Sequence, residues 1–228
     1  MENLSLYHSV LAKVKETAQV AGISELPEII AVSKFQEAEK IITLYREGQR
    51  LFGENYVQEL IEKKNLLESL HFFDIEFHFI GKLQTNKVKM LLPHVRTLHS
   101  VDSLKLLKEV EKQATVLAKK IYVYLQINLD GELSKAGFLP SQLPQFFCSS
   151  EWSLLKKSEW IQVIGWMTIP NPDLAAHLAF QQMKEISKAY QNEVGTKLSM
   201  GMSDDYVEAI REGATSLRIG SAIFGPRN

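Results

Sequence analysis

The stretch Glu28-Ile29-Ile30-Ala31-Val32-Ser33-Lys34 decides the fold. Residues 28–32 form a short apolar run with several β-branched side chains, which predicts a buried strand. The turn that follows, residues 33–36, contains no glycine. An open doubly wound sheet that binds a dinucleotide carries a glycine-rich turn after its first strand, so the sequence disfavours that fold. The same turn contains Lys34, directly after the first predicted strand.

Outward from this run, apolar strands alternate with helical segments along the whole chain. A helix with Val10, Leu11, Val14 and Ala18 on one face comes before the first strand, and Gly22 ends it. Strands separated by crossover helices run parallel, and eight such units in about 200 residues are the lower size limit of a closed (β/α)8 barrel. We therefore predict an α/β fold in which residues 1–228 form a single TIM-barrel domain with an extra N-terminal helix. The other predicted strands are 51–53, 76–80, 96–100, 121–128, 161–166, 197–199 and 216–219, and the predicted helices cover about 38–47, 84–92, 142–149 and 203–213 and begin at 57, 103 and 171.

Composition excludes several classes of protein. The 228 residues include 26 Lys and Arg against 27 Asp and Glu, a net charge of −1, whereas nucleic-acid binders usually show a basic excess. Cys148 is the single cysteine, so neither an internal disulfide nor a thiolate zinc site is expected, and we predict a small, semi-buried side chain there. We see no secretory signal and no apolar run long enough to span a membrane. We expect a protein of the reducing cytoplasm that binds neither membrane nor nucleic acid.

Two candidate sites lie at the ends of predicted strands. Lys34 would lie at the carboxyl end of strand one, where barrel active sites are built, although a solvated lysine is an open alternative. Ser199-Met200-Gly201-Met202-Ser203 follows strand seven and Arg218-Ile219-Gly220-Ser221 follows strand eight. Barrels frequently bind phosphate at these two loops, because glycines let the backbone approach the anion. Ordinary turn geometry at the glycines and helix capping by Ser203 are the alternatives.

The two sites become neighbours if the barrel closes, because strand eight then pairs with strand one. A phosphorylated aldehyde could place its phosphate on the loops of strands seven and eight and its carbonyl carbon on Lys34, whose amine becomes nucleophilic when desolvated. This arrangement favours pyridoxal 5′-phosphate (PLP) held as a Schiff base, and a Schiff-base aldolase is the alternative. No set of His, Asp and Glu has convincing metal-ligand spacing, so no metal is expected.

The loops after strands two and three add less specific candidates. Asn55 follows strand two and could hydrogen-bond a ligand oxygen or cap the next helix. His78 lies between two phenylalanines and is either a core histidine or a ligand contact at the barrel mouth. Lys82, Lys87 and Lys89 could attract an anion, but a solvated face is the default.

Eight motifs together resemble the YggS/PROSC family of PLP homeostasis proteins. They stand in order over nearly the whole chain, and the closing pair, Leu198-Ser199-Met200-Gly201-Met202-Ser203 and Arg218-Ile219-Gly220-Ser221, is the strongest part. The chain departs from the family at residues 35–37, where Thr-x-Pro often follows the lysine, and at Gly165-Trp166-Met167, where Gly-Leu-Met is frequent. Both departures concern the rim of the pocket. The eight motifs span 31–34, 52–59, 78–87, 99–102, 134–138, 165–170, 198–206 and 218–225.

The resemblance implies a PLP-binding barrel like the N-terminal domain of alanine racemase, of PLP fold type III but without its second β domain. It implies PLP on Lys34 and a role in vitamin B6 homeostasis and supply, with no established reaction and no catalytic residue. Arg218 would lie near the pyridine ring, where a basic group suits an unprotonated ring nitrogen. The cofactor-binding set is Lys34, Asn55, His78, Met167, Ser199, Gly201, Met202, Ser203, Arg218 and Gly220, with the phosphate near Ser199, Gly201, Ser203 and Gly220.

Two other functions stay open. A weak PLP-dependent enzyme, such as an amino-acid racemase or decarboxylase, would need a base on each face of its intermediate, and Lys34 serves only one face. An RNA- or protein-binding barrel would use the Lys82 to Lys89 rim, and the net charge argues against it. For the carrier we expect a monomer, because the second domain that joins racemase dimers is missing, and apo PLP-dependent enzymes are the possible recipients. A second PLP site at Lys82, Lys87 or Lys135 stays open.

Overall fold

The computed structural model describes residues 5–132, 135–171 and 175–226. Within these residues, eight parallel strands form a closed barrel in chain order, and the last strand pairs with the first. Ala31 faces Phe52 on one side and Ile219 on the other, so the first strand has no free edge. The predicted barrel is confirmed and the open sheet is excluded. The strands are β1 Glu28–Val32, β2 Leu51–Glu54, β3 Glu76–Phe79, β4 Thr97–Val101, β5 Ile121–Gln126, β6 Ile161–Met167, β7 Lys197–Ser199 and β8 Ser216–Ile219.

Helices connect the strands and surround the barrel, as crossover connections between parallel strands require. The predicted N-terminal helix is present and begins after Ser5, whose side chain accepts a hydrogen bond from the His8 N–H. It packs against the last two helices of the chain. The helices are α1 Leu6–Val20, α2 Ala38–Arg46, α3 Val57–Ser69, α4 Val88–Leu91, α5 Leu104–Val116, α6 Leu143–Phe147, α7 Ser150–Leu155, α8 Ala176–Ala189, α9 Tyr206–Arg211 and α10 Ser221–Phe224. None of these helices is both long and apolar enough to cross a membrane.

Side chains alternate between two environments along each strand. Phe77, Phe79 and Leu98 are fully buried in the apolar cluster that joins strands and helices. His99 on β4, in contrast, lies 2.7 Å from the hydroxyl of Ser199 on β7. Because β4 and β7 are not neighbours in the barrel, this contact crosses its interior. The barrel interior therefore contains buried polar side chains, of which the sequence pattern indicates only His78.

Some predicted helices have different bounds. The single helix expected at 84–92 is instead a 3-10 turn, the short α4 and a second 3-10 turn. The helix expected at 142–149 ends at Phe147, because the Ser149 side chain accepts a hydrogen bond from the Trp152 N–H and starts α7. Cys148 lies at this junction and is exposed, so the prediction of a semi-buried thiol is wrong.

Two predicted helix starts also differ. The helix predicted to start at Asn171 begins instead at Ala176, with Ala175 as its N-cap. Pro172 and Asp173 themselves lie outside the described residues. Ser203 does not cap α9, which begins at Tyr206 after Asp205.

Candidate functional site

Lys34 lies at the carboxyl end of β1, in the loop that leads to α2, and its side chain is half-buried. The next residue, Phe35, has a φ of 63°. This left-handed conformation is unfavourable for a bulky side chain and persists only where the surroundings impose it. The Phe35 ring is exposed and lies 5.2 Å from the ring of Tyr56, on the loop after β2. The loop that carries Lys34 is therefore held in a specific conformation.

A buried ion cluster holds both neighbours of Lys34. The ammonium of Lys63 on α3 donates to the Ser33 carbonyl at 2.6 Å, to Glu54 Oε1 at 2.8 Å and to Glu59 Oε1 at 2.7 Å. Glu59 Oε1 also accepts the Phe35 backbone N–H at 2.6 Å. One lysine and two carboxylates thus join β1, β2 and α3 beneath the loop, and we call Glu54, Glu59 and Lys63 the buried ion cluster.

Glu54 is the most strongly desolvated member of this cluster. Its side chain is fully buried, and one carboxylate oxygen accepts from the Ser33 hydroxyl at 2.7 Å as well as from Lys63. Burial raises the pKa of Glu54, against the opposing effects of Lys63 and Ser33. The sequence signals one part of this cluster, because Glu59 and Lys63 are four residues apart on one helix face and can form an ion pair, but it does not indicate that Glu54 joins them.

Arg218 on β8 is a buried cation in the barrel interior, with 4% of its surface exposed. It donates to the Ser199 hydroxyl at 2.7 Å and to the Thr168 carbonyl at 2.9 Å. Within the described part of the chain no carboxylate lies at ion-pair distance from it. Burial lowers its pKa to about 10, partly offset by the charge of Asp205, so the guanidinium stays charged at neutral pH. A buried cation without a carboxylate at ion-pair distance favours an anion nearby.

His78 belongs to a hydrogen-bonded chain that ends at Arg218. His78 Nδ1 lies 3.0 Å from His99 Nε2, and His99 Nδ1 lies 2.7 Å from Ser199 Oγ. Tyr124 stacks on His99 with ring centroids 4.3 Å apart. Burial, together with His78 and Arg218, lowers the pKa of His99 well below 6.5, so its imidazole is neutral. The structure thus places His78 in the interior, three hydrogen bonds from Arg218 by way of His99 and Ser199.

The loops after β7 and β8 meet as the sequence predicts. Gly201 has a φ of 92°, and a Cβ there would lie 2.6 Å from that of Ala209, so the position requires glycine. The Ser203 hydroxyl accepts the backbone N–H groups of Gly220 and Ala222, each at 3.2 Å. Ser203 therefore binds the backbone at the start of α10 and not at the start of α9, the helix that follows it in the chain. This contact joins the loop after β7 to the loop after β8.

Asp205 holds the first of these loops from the other side. Its carboxylate accepts the backbone N–H of Met202 at 2.6 Å. Burial raises the pKa of Asp205, although this hydrogen bond and Arg218 oppose the shift. Met202, Ser203 and Gly220 thus lie in one hydrogen-bonded loop pair, and a Cβ on Gly220 would lie 3.4 Å from that of Val32 at the end of β1.

Asn55 and Met167 lie at the ends of β2 and β6. Asn55 does not cap α3, whose N-cap is Tyr56 without a side-chain hydrogen bond. Its Oδ1 is buried and has no hydrogen-bond partner among the described residues. Met167 is fully buried and pairs in register with Ser199. Ser134, in the motif at 134–138, lies outside the described residues.

Taken together, the fold and these residues define a class of protein. It is a (β/α)8 barrel with a lysine after β1 and a buried arginine beside the loops of β7 and β8. The family model of the alanine racemase N-terminal domain matches residues 9–228, and the chain belongs to this family.

Closer relatives define the particular family within it. The chain is 34% identical over 232 residues to the pyridoxal phosphate homeostasis protein of Schizosaccharomyces pombe, covering 98% of this chain and 94% of the relative. It is 38% identical over 223 residues to the protein of the same name from Pseudomonas aeruginosa, covering 96% and 93%. The structure of PipY from Synechococcus elongatus, described with PLP bound, is similar with a TM-score of 0.76 and 36% identity, covering 92% of this chain and 99% of PipY. The chain belongs to the pyridoxal phosphate homeostasis protein family.

Proposed function

We propose that this protein binds PLP at the barrel mouth and serves in the homeostasis and supply of the cofactor. Lys34 would hold the aldehyde carbon as a Schiff base, and the loop pair after β7 and β8 would hold the phosphate. The names of the relatives and the PLP that PipY binds support this proposal.

The burial of the Arg218 guanidinium is the observation that carries the proposal. Among the residues that the structure describes, the buried guanidinium hydrogen-bonds to a hydroxyl and a backbone carbonyl and has no carboxylate at ion-pair distance. This arrangement is unfavourable unless an anion approaches, because a desolvated charge needs a counter-charge. A phosphorylated ligand held by the loops after β7 and β8 would bring negative charge near Arg218, with its pyridine ring facing the guanidinium, so the residues present fit the cofactor. Gly201 and Gly220 let the backbone approach a phosphate closely.

The chain's own residues have separable tasks in this proposal. When bound, the cofactor supplies an aldehyde that combines reversibly with an amine. Lys34 provides that amine, and the buried ion cluster orients its loop. Ser203 and Asp205 shape the loops beside β7 and β8, Asn55 and Met167 line the pocket, and the neutral His99 keeps the Ser199 hydroxyl oriented towards Arg218.

The remaining parts of the proposal concern the cellular role. We propose a carrier that acts in the cytoplasm as a monomer, with residues 1–228 as one PLP-binding domain, and that transfers the cofactor to apo PLP-dependent enzymes. Transfer requires that an apo-enzyme acquires PLP from this protein faster than PLP leaves into solvent. A stopped-flow comparison of the two rates tests this part alone.

The first experiment is the visible absorbance spectrum of the purified protein before and after borohydride. We expect an imine band that borohydride removes, with the reduced adduct mapped to Lys34 by peptide mass spectrometry. Lys34→Ala should lack both band and adduct, whereas Lys89→Ala, an exposed lysine on α4, should retain them. If no band forms even after PLP is added, the proposed cofactor is wrong.

A further inference from the structure

A cavity lies at the barrel mouth beside the proposed cofactor site. It has a volume of about 240 Å³ and is bordered by the loops after β2, β3, β5 and β6. It shares Asn55 with the proposed cofactor site but is not lined by Ser199, Gly201 or Arg218. This volume is below the roughly 300–1,000 Å³ of sites for drug-sized ligands, so it suits a smaller metabolite. We call it the Asn55–Asn128 cavity.

Two buried amide oxygens line this cavity without a partner. Asn55 Oδ1 and Asn128 Oδ1 are both buried and accept no hydrogen bond from the described residues. The Asn128 side chain is 6% exposed, and its Nδ2 donates to the carbonyls of Glu132 at 2.9 Å and Lys135 at 3.1 Å. These two donations determine the orientation of the amide, so its oxygen cannot exchange places with the nitrogen. An acceptor left unpaired is unfavourable, and a ligand that donates N–H or O–H groups removes the penalty.

Glycines hold both asparagines in place. A Cβ on Gly81 would overlap the backbone of Asn55, and a Cβ on Gly137 would lie 2.7 Å from the backbone nitrogen of Asn128. Gly137 also has a φ of 136°. These glycines belong to the motifs at 78–87 and 134–138, and neither glycine is part of the proposed PLP site. The close approaches explain why glycine stands in both motifs.

Charges on the two rims of the cavity differ in sign. Lys82 on the β3 side is exposed, and within the described residues it forms no ion pair. On the β5 side Lys135 is already paired with Asp130 and Glu132, each at 3.0 Å, which leaves one excess negative charge. The wall between the rims is apolar and includes Ile80, Ile127 and Ile169. An ammonium group is favoured beside Asn128 and a carboxylate beside Lys82.

We propose that the Asn55–Asn128 cavity binds a free α-amino acid with an apolar side chain. The ammonium donates to the two asparagine oxygens, the carboxylate faces Lys82, and the side chain packs on the three isoleucines. Binding is non-covalent and does not depend on PLP, so this inference can fail or hold independently of the proposed function.

The test is isothermal titration of the full chain with L-leucine in two forms, PLP-free and PLP-loaded after borohydride reduction. Reduction removes the exchangeable imine, so leucine cannot bind by replacing Lys34. We expect saturable binding in both forms. We also expect at least about tenfold weaker binding of 4-methylpentanoate, which lacks the amine, and of 3-methylbutylamine, which lacks the carboxylate. Equal binding of the three compounds, or the absence of leucine binding to the reduced PLP-loaded form, would overturn the proposal.

Variants on exposed positions avoid damage to the fold. Ile169→Trp fills the mouth of the cavity from a residue that is 40% exposed and should abolish leucine binding. Leu178→Trp, at an exposed position on α8, should leave it unchanged. Lys82→Gln should weaken leucine about threefold but not 3-methylbutylamine, whereas Lys89→Gln should affect neither. An unchanged affinity in Ile169→Trp would show that leucine binds elsewhere.

Discussion

Replacement of Lys63 by methionine tests whether the buried ion cluster supports the loop of Lys34. The substitution keeps the length and the apolar stem of the side chain but removes an ammonium that makes three hydrogen bonds of 2.6–2.8 Å. Glu54 then stays fully buried, and the Ser33 hydroxyl is its one remaining donor among the described residues. Removal of one member of a buried ion pair costs about 3–5 kcal/mol, because the other charge is left uncompensated. We expect Lys63→Met to lower the free energy of unfolding by about this amount at pH 7.

The pH dependence of this loss has a defined sign. Burial raises the pKa of Glu54 above 4.5 even in the intact protein, and Lys63 is the main opposing influence. Without Lys63 the pKa of Glu54 rises further, so the folded state takes up a proton more readily than the unfolded state. The penalty is complete above the folded pKa and is relieved as pH falls towards the unfolded value. Urea unfolding of Lys63→Met should therefore show a smaller loss at pH 5 than at pH 7.

Two further variants control this experiment. Lys64→Met removes the next lysine of α3, whose ammonium bonds to the His94 carbonyl outside the cluster, and should cost no more than about 1 kcal/mol. Glu54→Gln combined with Lys63→Met removes both charges and should recover at least about 2 kcal/mol of the loss. A loss below about 1 kcal/mol in Lys63→Met, or one that is equal at pH 5 and pH 7, would refute the reasoning.

Three other predictions follow from the geometry of the site. Gly201→Ala should lower the free energy of unfolding in urea by about 1–3 kcal/mol and lower PLP affinity, because the new Cβ overlaps that of Ala209. The control is Gly213→Ala, at a similar φ of 90° but with open space around it, which should cost about 1 kcal/mol and leave PLP affinity unchanged. Arg218→Met should reduce the rise in Tm that PLP produces by several degrees while changing the Tm of the PLP-free protein less, and an unchanged PLP effect would argue against its role as counter-charge. The pKa of His99 lies well below 6.5 in the folded protein, so the unfolded chain binds the extra proton and stability falls as pH drops below about 6.5. His99→Gln should therefore flatten the acid side of the curve of unfolding free energy against pH. An identical slope in the variant and the wild type would contradict this assignment.

The positions of the strands could be read from the sequence because each is a short apolar run between turn residues. Closure of the barrel was also predictable, since eight crossover units in a chain of this length leave few other arrangements. The placement of Lys34 after β1, and of the two glycine loops after β7 and β8, followed directly from these strands. The resemblance to PLP homeostasis proteins added the expected ligand.

Helix ends were less predictable, because capping depends on which partner reaches the exposed N–H groups. Ser203 precedes α9 in the chain but binds the backbone of Gly220 and Ala222, on the other side of β8. Ser149 stops one helix and starts another within a segment that reads as continuous. In both places the local sequence allows more than one helix end, and the backbone N–H group that the serine hydroxyl reaches in the folded chain determines which one forms.

By itself, the sequence determined the alternation of strands and helices, the parallel barrel and the lysine and glycine positions at its mouth, because these depend on local apolar patterns and on chain order. Only the tertiary structure decided that Glu54, Glu59 and Lys63 meet beneath Lys34. It also brought His99 to Ser199 across the interior, and Asn55 and Asn128 to one cavity. The physical reason is that such contacts depend on barrel closure and strand register, which bring together side chains as far as 100 residues apart in the chain.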